Sequence, residues 1–299
     1  MIEDGGDPMT AVADPTPSPD NAADELPRDV LARAGSLEVR LARNAAEVAE
    51  SQRLRFQVFY REMAAQPTPE MAAEGRDFDR YDAICDCLLV LDRARAPGER
   101  VVGTYRLLRQ EVAEANGGFY SADEYDLSPL LAHLDENCRG LELGRSCVHR
   151  HYRSYASIHL LWRGIVGYLV RHRIGFMFGC ASLPGTDPQA VAAELSYLHH
   201  FHRAPPDLRV RALGQRYEEM ARLNVDEFSP RQVLAGLPPL VKGYLRLGAY
   251  IGDGAVIDRQ FGTVDVFIIL PVARISVRYF DHFDPDGALE RPKQGQTGG

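Results

Sequence analysis

The sequence predicts an α/β domain built on a mixed β-sheet with helices on both faces. Three observations support this prediction. Segments with strand-like alternation and segments with helical spacing follow one another along the chain. Apolar residues make up 45% of the 299 residues, which is enough for a sizeable core. No stretch reaches the roughly 18–20 apolar residues of a membrane span.

Residues 1–30 are expected to form a disordered acidic, proline-rich tail, and residues 281–299 a flexible C-terminal tail. The first stretch holds five prolines and eight acidic residues against one base, with few side chains to bury. The net charge of −8 therefore lies mostly in this tail, and the rest of the chain is nearly neutral. This balance gives no support for nucleic-acid binding. Residues 31–280 are predicted to form a single domain.

The first half of the domain is predicted to contain four strands and one helix. Residues 45–63 carry apolar side chains at helical spacing, and residues 66–80 form a polar, proline-containing loop. The strands are expected at residues 35–41, 86–92, 100–108 and 140–148.

The second half is predicted to begin with an amphipathic helix from Ile158 to Leu169. A helix is expected over residues 187–201, with Asp187 as its N-cap and Pro188 at its first position. Short helices are expected within residues 207–241. The remaining strands are expected at residues 174–181, 244–250, 256–261 and 264–270.

Several classes of protein are excluded or disfavoured by missing motifs. Neither G-x-G-x-x-G nor the P-loop pattern occurs, so a nucleotide-binding loop of either kind is not expected. His199, His200 and His202 lack accompanying metal-ligand motifs, and no metal is expected. The five cysteines lack C-x-x-C spacing and predict reduced thiols. No signal peptide is recognised, which predicts a cytoplasmic protein.

Asp79 and Asp82 lie three residues apart, beside Arg80 and just before a predicted strand. Two carboxylates at this spacing could hold a cationic amine. They could equally cap a helix or lock nearby arginines in place, and the sequence leaves these roles open.

Glu142 is the only acid in the predicted strand 140–148. Strand alternation places it on one face with Gly144, and places Leu141, Leu143 and Arg145 on the other. A partly buried carboxylate has a raised pKa and can act as a general base. A buried ion pair between Glu142 and Arg106 is the alternative.

A basic run extends from Arg139 to Arg173, with seven arginines and one acid. Its centre coincides with the junction between a strand and a helix, where the helix N-terminus could meet a phosphate. The run is also suited to docking an acidic protein.

Four segments together resemble the acyl-homoserine-lactone synthases. They are Arg55-Phe56-Gln57-Val58-Phe59, Phe78-Asp79-Arg80-Tyr81-Asp82, Gly103-Thr104-Tyr105-Arg106-Leu107 and Glu142-Leu143-Gly144-Arg145-Ser146. In that family, matching R-x-x-V-F, D-x-Y-D, strand-arginine and E-x-S-R segments build one acyl-transfer site. The last segment departs from the pattern, because Gly144 stands where the family has serine.

A closer resemblance is to the ornithine N-acyltransferases of ornithine-lipid synthesis, also called hemolysin-like acyltransferases. They share the E-L-G-R-S-C-V segment at residues 142–148 and a C-terminal part like residues 237–270. The match spans about residues 38–280, and both families are similar to the GNAT acyltransferases. It implies a GNAT-like, mostly antiparallel sheet with a helical insertion at about 205–241, before the last strands.

The resemblance also implies a reaction. The donor would be a (3-hydroxy)acyl thioester of acyl-carrier protein, the acceptor the α-amine of ornithine, and the product lyso-ornithine lipid. No cofactor other than the carrier thioester is implied. Peripheral contact with the inner membrane, through the lipid product, is an alternative to a purely cytoplasmic location.

The implied site residues fall into three groups. Glu142, Arg106 and Arg145 are expected to be catalytic, with Tyr197 a candidate acid for the leaving thiolate. The carrier's phosphopantetheine is expected near Arg150, Arg153 and Ser154. Residues 151–156 stand at the position of the GNAT phosphate loop but depart from its pattern, with His at the first position and Ser at the fourth. The substrate-binding residues are expected to be Asp79, Asp82, Arg55, Phe59 and Ser146.

Three other functions remain open at the sequence level. The acceptor could be glycine, glutamine or lysine. The protein could be a homoserine-lactone synthase, although the long region after Phe201 argues against this. A non-enzymatic GNAT-like module that binds acyl-carrier protein or lipid would have no reason to retain Glu142, Arg106 and Arg145 together.

Overall fold

The computed structural model describes residues 29–153 and 155–275. Most of both predicted tails, and the predicted site residue Ser154, lie outside these residues. The first strand begins at Val30, at the border of the predicted N-terminal tail. In chain order the strands are β1 (Val30–Ala34), β2 (Leu37–Leu41), β3 (Asp86–Asp92), β4 (Val101–Arg109), β5 (Tyr125–Asp126), β6 (Arg139–Val148), β7 (Ile174–Pro184), β8 (Arg211–Ala212), β9 (Tyr250–Asp258) and β10 (Thr263–Pro271).

The strands form one sheet in the order β1-β2-β3-β4-β6-β7-β10-β9-β8-β5. Adjacent strands are antiparallel except for the pairs β6–β7 and β8–β9, which are parallel. The prediction of a mixed, mostly antiparallel sheet is therefore confirmed. The α-helices of the described residues are α1 (Ala45–Phe56), α2 (Pro69–Glu74), α3 (Gln110–Ala115), α4 (Ser128–Leu131), α5 (Tyr155–His172), α6 (Ala192–His202), α7 (Pro230–Gly236) and α8 (Pro239–Arg246).

Helices α1 and α5 cover opposite faces of the sheet, and the apolar run in β3 explains why. Successive side chains of a strand point to opposite faces. Cys87, Leu89 and Leu91 accordingly pack in one core cluster with residues of α1, while Leu88 and Val90 pack in another with residues of α5. The sheet is thus buried on both sides, as predicted. No helix of the described ranges is long and apolar enough to cross a membrane.

Three predicted elements are wrong in detail. The strand predicted at 256–261 is only the last part of β9, which begins at Tyr250 and ends at Asp258. The segment predicted as a strand at 244–250 continues α8 as far as Arg246, because Val241, Tyr244 and Leu247 are buried at helical spacing. Helix α6 starts at Ala192 rather than at Asp187, whose carboxylate instead accepts a hydrogen bond from the Gln189 amide (2.9 Å) in a preceding turn.

The predicted helix 45–63 and the predicted loop 66–80 are both modified. Helix α1 ends at Phe56 and continues as a π-helical segment, Gln57–Glu62. The loop contains α2, whose N-cap Thr68 accepts from the Met71 amide (3.2 Å). Such short polar helices depend on local capping rather than on apolar periodicity, which is why the pattern did not show α2.

A cleft opens where β6 and β7 diverge. Their parallel pairing runs from Arg139 opposite Ile174 to Glu142 opposite Phe178, although both strands continue beyond it. At the point of divergence Gly179 has φ +154°, and a Cβ atom there would lie 2.3 Å from the Leu143 carbonyl oxygen. Only glycine permits this approach of the two backbones.

We expect Gly179→Ala to destabilise the fold by about 1–3 kcal/mol, because the added methyl group must displace backbone rather than a flexible side chain. Thermal unfolding measures the effect. Gly236→Ala is the matched control, since a Cβ atom there meets nothing within 4 Å. Equal melting temperatures for the two variants would contradict the steric explanation.

Candidate active site

A β-bulge sets the position of Arg145. Strand β6 pairs with β4 through Gly144 opposite Arg106 and Cys147 opposite Thr104, so two residues of β6 face one residue of β4. Arg145 occupies the bulge with φ +51°. The predicted alternation is therefore wrong at this residue, because the bulge turns the Arg145 side chain to the face that carries Glu142.

Three arginines and three aspartates form a buried ionic network on this face. Arg55 lies at its base and is only 1% exposed. Its guanidinium donates to both carboxylate oxygens of Asp82 (2.7 and 2.8 Å) and lies 2.7 Å from Asp77 Oδ2. These carboxylates raise the pKa of Arg55 despite the opposing effect of burial. The members of the network are Arg55, Arg106, Arg145, Asp77, Asp79 and Asp82.

Asp79 joins the two other arginines. Its carboxylate lies 2.6 Å from Arg106 Nη1 and 3.2 Å from Arg145 Nη2. Burial acts to raise the pKa of Asp79, but these two guanidinium groups outweigh it and hold the pKa below its usual range. Asp79 and Asp82 also form a capping box around a 3₁₀ turn, Arg80–Ala83. In the structure both aspartates thus hold arginines in place, one of the roles left open by the sequence.

Aromatic side chains hold Arg145 from two further directions. Its guanidinium carbon lies 5.1 Å from the centre of the Tyr120 ring and 4.7 Å from that of Phe261. Phe261 in turn contacts Phe59 edge to face, with ring centres 5.5 Å apart. Cation–π contacts of this kind are strongest where water is excluded. Phe59 is therefore buried behind the arginine network, close to the site.

Glu142 is 4% exposed and accepts three hydrogen bonds. The donors are the Tyr120 amide (2.7 Å), the Ser121 amide (2.8 Å) and the Ser121 hydroxyl (2.5 Å). Among the described residues, Glu142 forms no ion pair with Arg106. The ion pair that the sequence suggested as an alternative is therefore not observed. Burial raises the pKa of Glu142, although the hydrogen bonds from Ser121 and Tyr120 and the charge of Arg106 act in the opposite direction.

The remaining predicted residues lie apart from Glu142. Ser146 lies beside Tyr105, whose hydroxyl contacts the Tyr244 hydroxyl (3.0 Å) in the core covered by α5. Tyr197 packs in the same core, with its hydroxyl 3.2 Å from His202 Nε2.

The predicted basic run is divided by the fold. Arg145 is half-buried in the ionic network, whereas Arg150 and Arg153 are exposed between β6 and α5. Arg153 Nε donates to the Val148 carbonyl (3.0 Å), and its guanidinium pairs with Glu62. Only the part of the run around Arg150 and Arg153 therefore lies at the strand-to-helix junction.

Comparison with known proteins identifies the family. A protein of Brucella abortus named L-ornithine N(alpha)-acyltransferase is 54% identical over 256 residues, which cover 85% of this chain and 91% of that protein. A protein of Rhizobium meliloti with the same name is 48% identical, over 86% of this chain and 88% of its own length. The chain belongs to the L-ornithine N(alpha)-acyltransferase family.

The family assignment agrees with the fold. A GNAT acetyltransferase domain model matches residues 54–163 of this acyltransferase. Among solved structures, the acyl-homoserine-lactone synthase LasI matches 87% of this chain and all of its own, at 13% identity and a TM-score of 0.44. The GNAT domain match and the family membership confirm the predicted GNAT-like fold and the predicted acyltransferase class.

Sequence reasoning missed three acidic residues near Glu142 or within the arginine network. Asp77 is buried between Arg55 and Arg145, and its carboxylate also accepts from the Tyr60 hydroxyl (2.8 Å). The R-D-F-D-R-Y-D segment contained this signal, because Asp77 is a third aspartate only two residues before Asp79. Glu124 and Asp265 were missed without such a signal, since neither lies in a recognisable motif.

Proposed function

We propose that this acyltransferase transfers a (3-hydroxy)acyl group from an acyl-carrier-protein thioester to the α-amine of ornithine, giving lyso-ornithine lipid. The observation that supports the acceptor is the 54% identity, over 91% of its length, with a relative named for acylation of ornithine. The carrier thioester is the only co-substrate, and no metal or further cofactor takes part. The amphiphilic product brings the enzyme into peripheral contact with the membrane.

Glu142 is the proposed general base. The α-ammonium of ornithine must lose a proton before its nitrogen can attack the thioester carbon. A carboxylate offers about four acceptor sites, and three of those on Glu142 are occupied by Tyr120 and Ser121. The remaining site can accept a hydrogen bond from the substrate or from a bridging water. The raised pKa of Glu142 increases its basicity toward the ammonium.

The cleft between β6 and β7 is the proposed site of the thioester. Beyond Glu142 and Phe178 the two strands no longer pair with each other, which frees backbone groups on their facing edges. Backbone N–H groups there can stabilise the negative charge that develops on the thioester oxygen. The new C–N bond forms and the C–S bond breaks. Between ammonium and amide the nitrogen loses two protons: one protonates the leaving thiolate, and the other passes through Glu142 to solvent.

The arginine network positions these groups. Arg106 and Arg145 are proposed to hold the 3₁₀ turn at residues 80–83 and Tyr120 against β6, through Asp79 and through the Tyr120 ring. Precise positioning of two substrates supplies a large part of the rate enhancement in bimolecular transfers. Direct contact of Asp79, Asp82 or Ser146 with substrate stays a prediction.

The direct test is mass spectrometry of the product formed from a 3-hydroxyacyl-carrier protein and a panel of amino acids. Ornithine is expected to give an N-acyl product, and glycine, glutamine and homoserine are expected to give none. Acylation of another amino acid in place of ornithine would contradict the proposed acceptor.

We expect Arg150→Glu and Arg153→Glu to raise the KM for the carrier-protein donor several-fold, with little change in the KM for ornithine. Both side chains are exposed between β6 and α5, and carrier proteins are acidic, so docking is electrostatic. Exposed charge contacts contribute about 0.2–1 kcal/mol each. The donor KM should also rise with ionic strength.

Arg231→Glu is the matched control for charge, because Arg231 is an exposed arginine on α7. Its donor KM should equal that of the wild type. If acyl-coenzyme A serves as well as the acyl-carrier protein, at every ionic strength, the proposed donor is wrong.

A further inference from the structure

Two acidic side chains lie near Cys180, which is itself close to Glu142, and neither belongs to the arginine network. Glu124 directly follows the 3₁₀ turn Tyr120–Asp123, whose first two residues donate to Glu142. Asp265 lies on β10, opposite Ser182 of β7. Cys180 of β7 lies near both acids, with its sulfur 3.8 Å from Glu124 Oε2. The two carboxylates therefore lie beside the same strand as Phe178, the partner of Glu142.

Asp265 is an unusual carboxylate because it is buried and incompletely partnered. It is 7% exposed, and its Oδ1 atom has no hydrogen-bond partner among the described residues. The side chains of Thr263 and Ser182 interact with the Asp265 carboxylate but leave Oδ1 without a partner. A buried carboxylate oxygen of Asp265 without a partner is costly to the fold and calls for an explanation. Its unpaired oxygen is the observation that points to a bound cation.

Charge compensation near the two acids is also incomplete. Arg216 Nη1 lies 3.1 Å from Glu124 Oε1, but this arginine is 44% exposed and approaches only that acid. Asp258, a further acid nearby, accepts hydrogen bonds from the Gln260 and Phe261 amides and adds negative charge. Burial raises the pKa of Glu124 to about 7, and the charge of Asp265 adds to this effect. Burial likewise raises the pKa of Asp265 to about 6.

We infer that Glu124 and Asp265 form the subsite for the side-chain ammonium of the acceptor, so that the enzyme selects a diamino acid. This inference rests on the proposed function, which places the α-amine at Glu142. The short hydrocarbon chain of ornithine would then extend along β7, from Glu142 past Phe178 and Cys180 to the two acids. A single ammonium between two carboxylates would supply the missing partner of Asp265 Oδ1 and offset their repulsion.

The subsite explains selection between acceptors. Glycine and glutamine carry no side-chain cation, and binding them would leave Asp265 buried without an ion pair among the described residues. A site with buried polar groups rejects an analogue that lacks the complementary group much more strongly than an apolar pocket rejects a missing methylene. Glu124 and Asp265 are therefore specificity-determining residues.

The test compares ornithine with norvaline, which has the same carbon skeleton but no side-chain amine. Acylation is measured with the same 3-hydroxyacyl-carrier protein, and kcat/KM is determined for both amino acids. The wild type is expected to prefer ornithine by about 10²–10⁴-fold. Asp265→Asn and Glu124→Gln should each lower kcat/KM for ornithine at least tenfold while leaving that for norvaline within about twofold.

Asp123→Asn is the matched control, because Asp123 is an exposed acid on the same short turn as Glu124. Its preference for ornithine should equal that of the wild type. A second readout does not depend on turnover. Ornithine should raise the melting temperature of the wild type more than norvaline does, and Asp265→Asn should abolish this difference.

The results of these experiments distinguish a failure of the proposed subsite from a failure of the proposed function. Equal losses toward ornithine and norvaline would show that the two acids are structural, and would overturn the subsite. Equal use of ornithine and norvaline by the wild type would also overturn it, while leaving ornithine acylation intact. Failure of the wild type to acylate ornithine would instead overturn the proposed function. If Asp265→Asn fails to fold, Glu124→Gln and the thermal shifts of the wild type decide the question.

Discussion

Glu142→Gln is expected to lower kcat by about 10²–10⁴-fold, the usual cost of removing a general base. The amide retains a side-chain carbonyl oxygen to accept hydrogen bonds, but it cannot take a proton from the ornithine ammonium. Two of the three donors to Glu142 are backbone amides, so part of the local hydrogen bonding survives. Single-turnover kinetics with a saturating donor measure the chemical step directly.

The control for Glu142→Gln is Glu111→Gln, which removes a half-buried carboxylate paired with Arg109 and Arg139. It should retain wild-type turnover. The circular dichroism spectrum of Glu142→Gln should match that of the wild type. The base assignment fails if the folded variant keeps more than about a tenth of wild-type activity.

Arg55→Met is expected to destabilise the protein by about 3–5 kcal/mol, because it leaves Asp77 and Asp82 buried without their principal counter-charge. For a domain of this size that corresponds to a fall in melting temperature of roughly 6–20 °C. Differential scanning calorimetry measures the change. Arg55→Lys should recover only part of the loss, since an ammonium cannot donate in the bidentate geometry seen with Asp82.

Arg43→Met provides the matched control. Arg43 pairs with Asp29, but its side chain is 51% exposed, and exposed pairs contribute at most about 1 kcal/mol. The melting temperature should therefore change little. Similar falls in melting temperature for Arg55→Met and Arg43→Met would contradict the explanation that burial makes the loss of Arg55 costly.

The fold could be predicted largely because its central strands are apolar on both faces. The run Asp86–Asp92 shows this clearly, since helices cover it on either side. Residues 244–250 fit both patterns over so short a segment: Leu245, Leu247 and Ala249 alternate as in a strand, while Tyr244 and Leu247 continue the helical spacing of α8. Strands of two residues, such as β5 and β8, carry no periodicity at all.

The site could be predicted only where its residues lie in motifs. Arg55, Asp79 and Arg106 were found in separate segments, but their contacts are long-range and depend on the fold. Asp265 escaped notice because it reads as one polar residue in an apolar strand. What distinguishes Asp265 is its carboxylate oxygen without a hydrogen-bond partner, a feature that a sequence pattern does not reveal.

The bulge at Arg145 has a consequence for sequence alignment. Because strand side chains alternate, the extra residue exchanges the two faces for every position of β6 that follows it. A single-residue gap placed at 145 or 146 would thus assign Cys147 to the wrong core in any homology-based reconstruction. Residues aligned around the E-L-G-R segment must be compared by the face of the sheet to which their side chains point. A relative lacking the extra residue would present its arginine away from the cleft, even with an identical neighbouring glutamate.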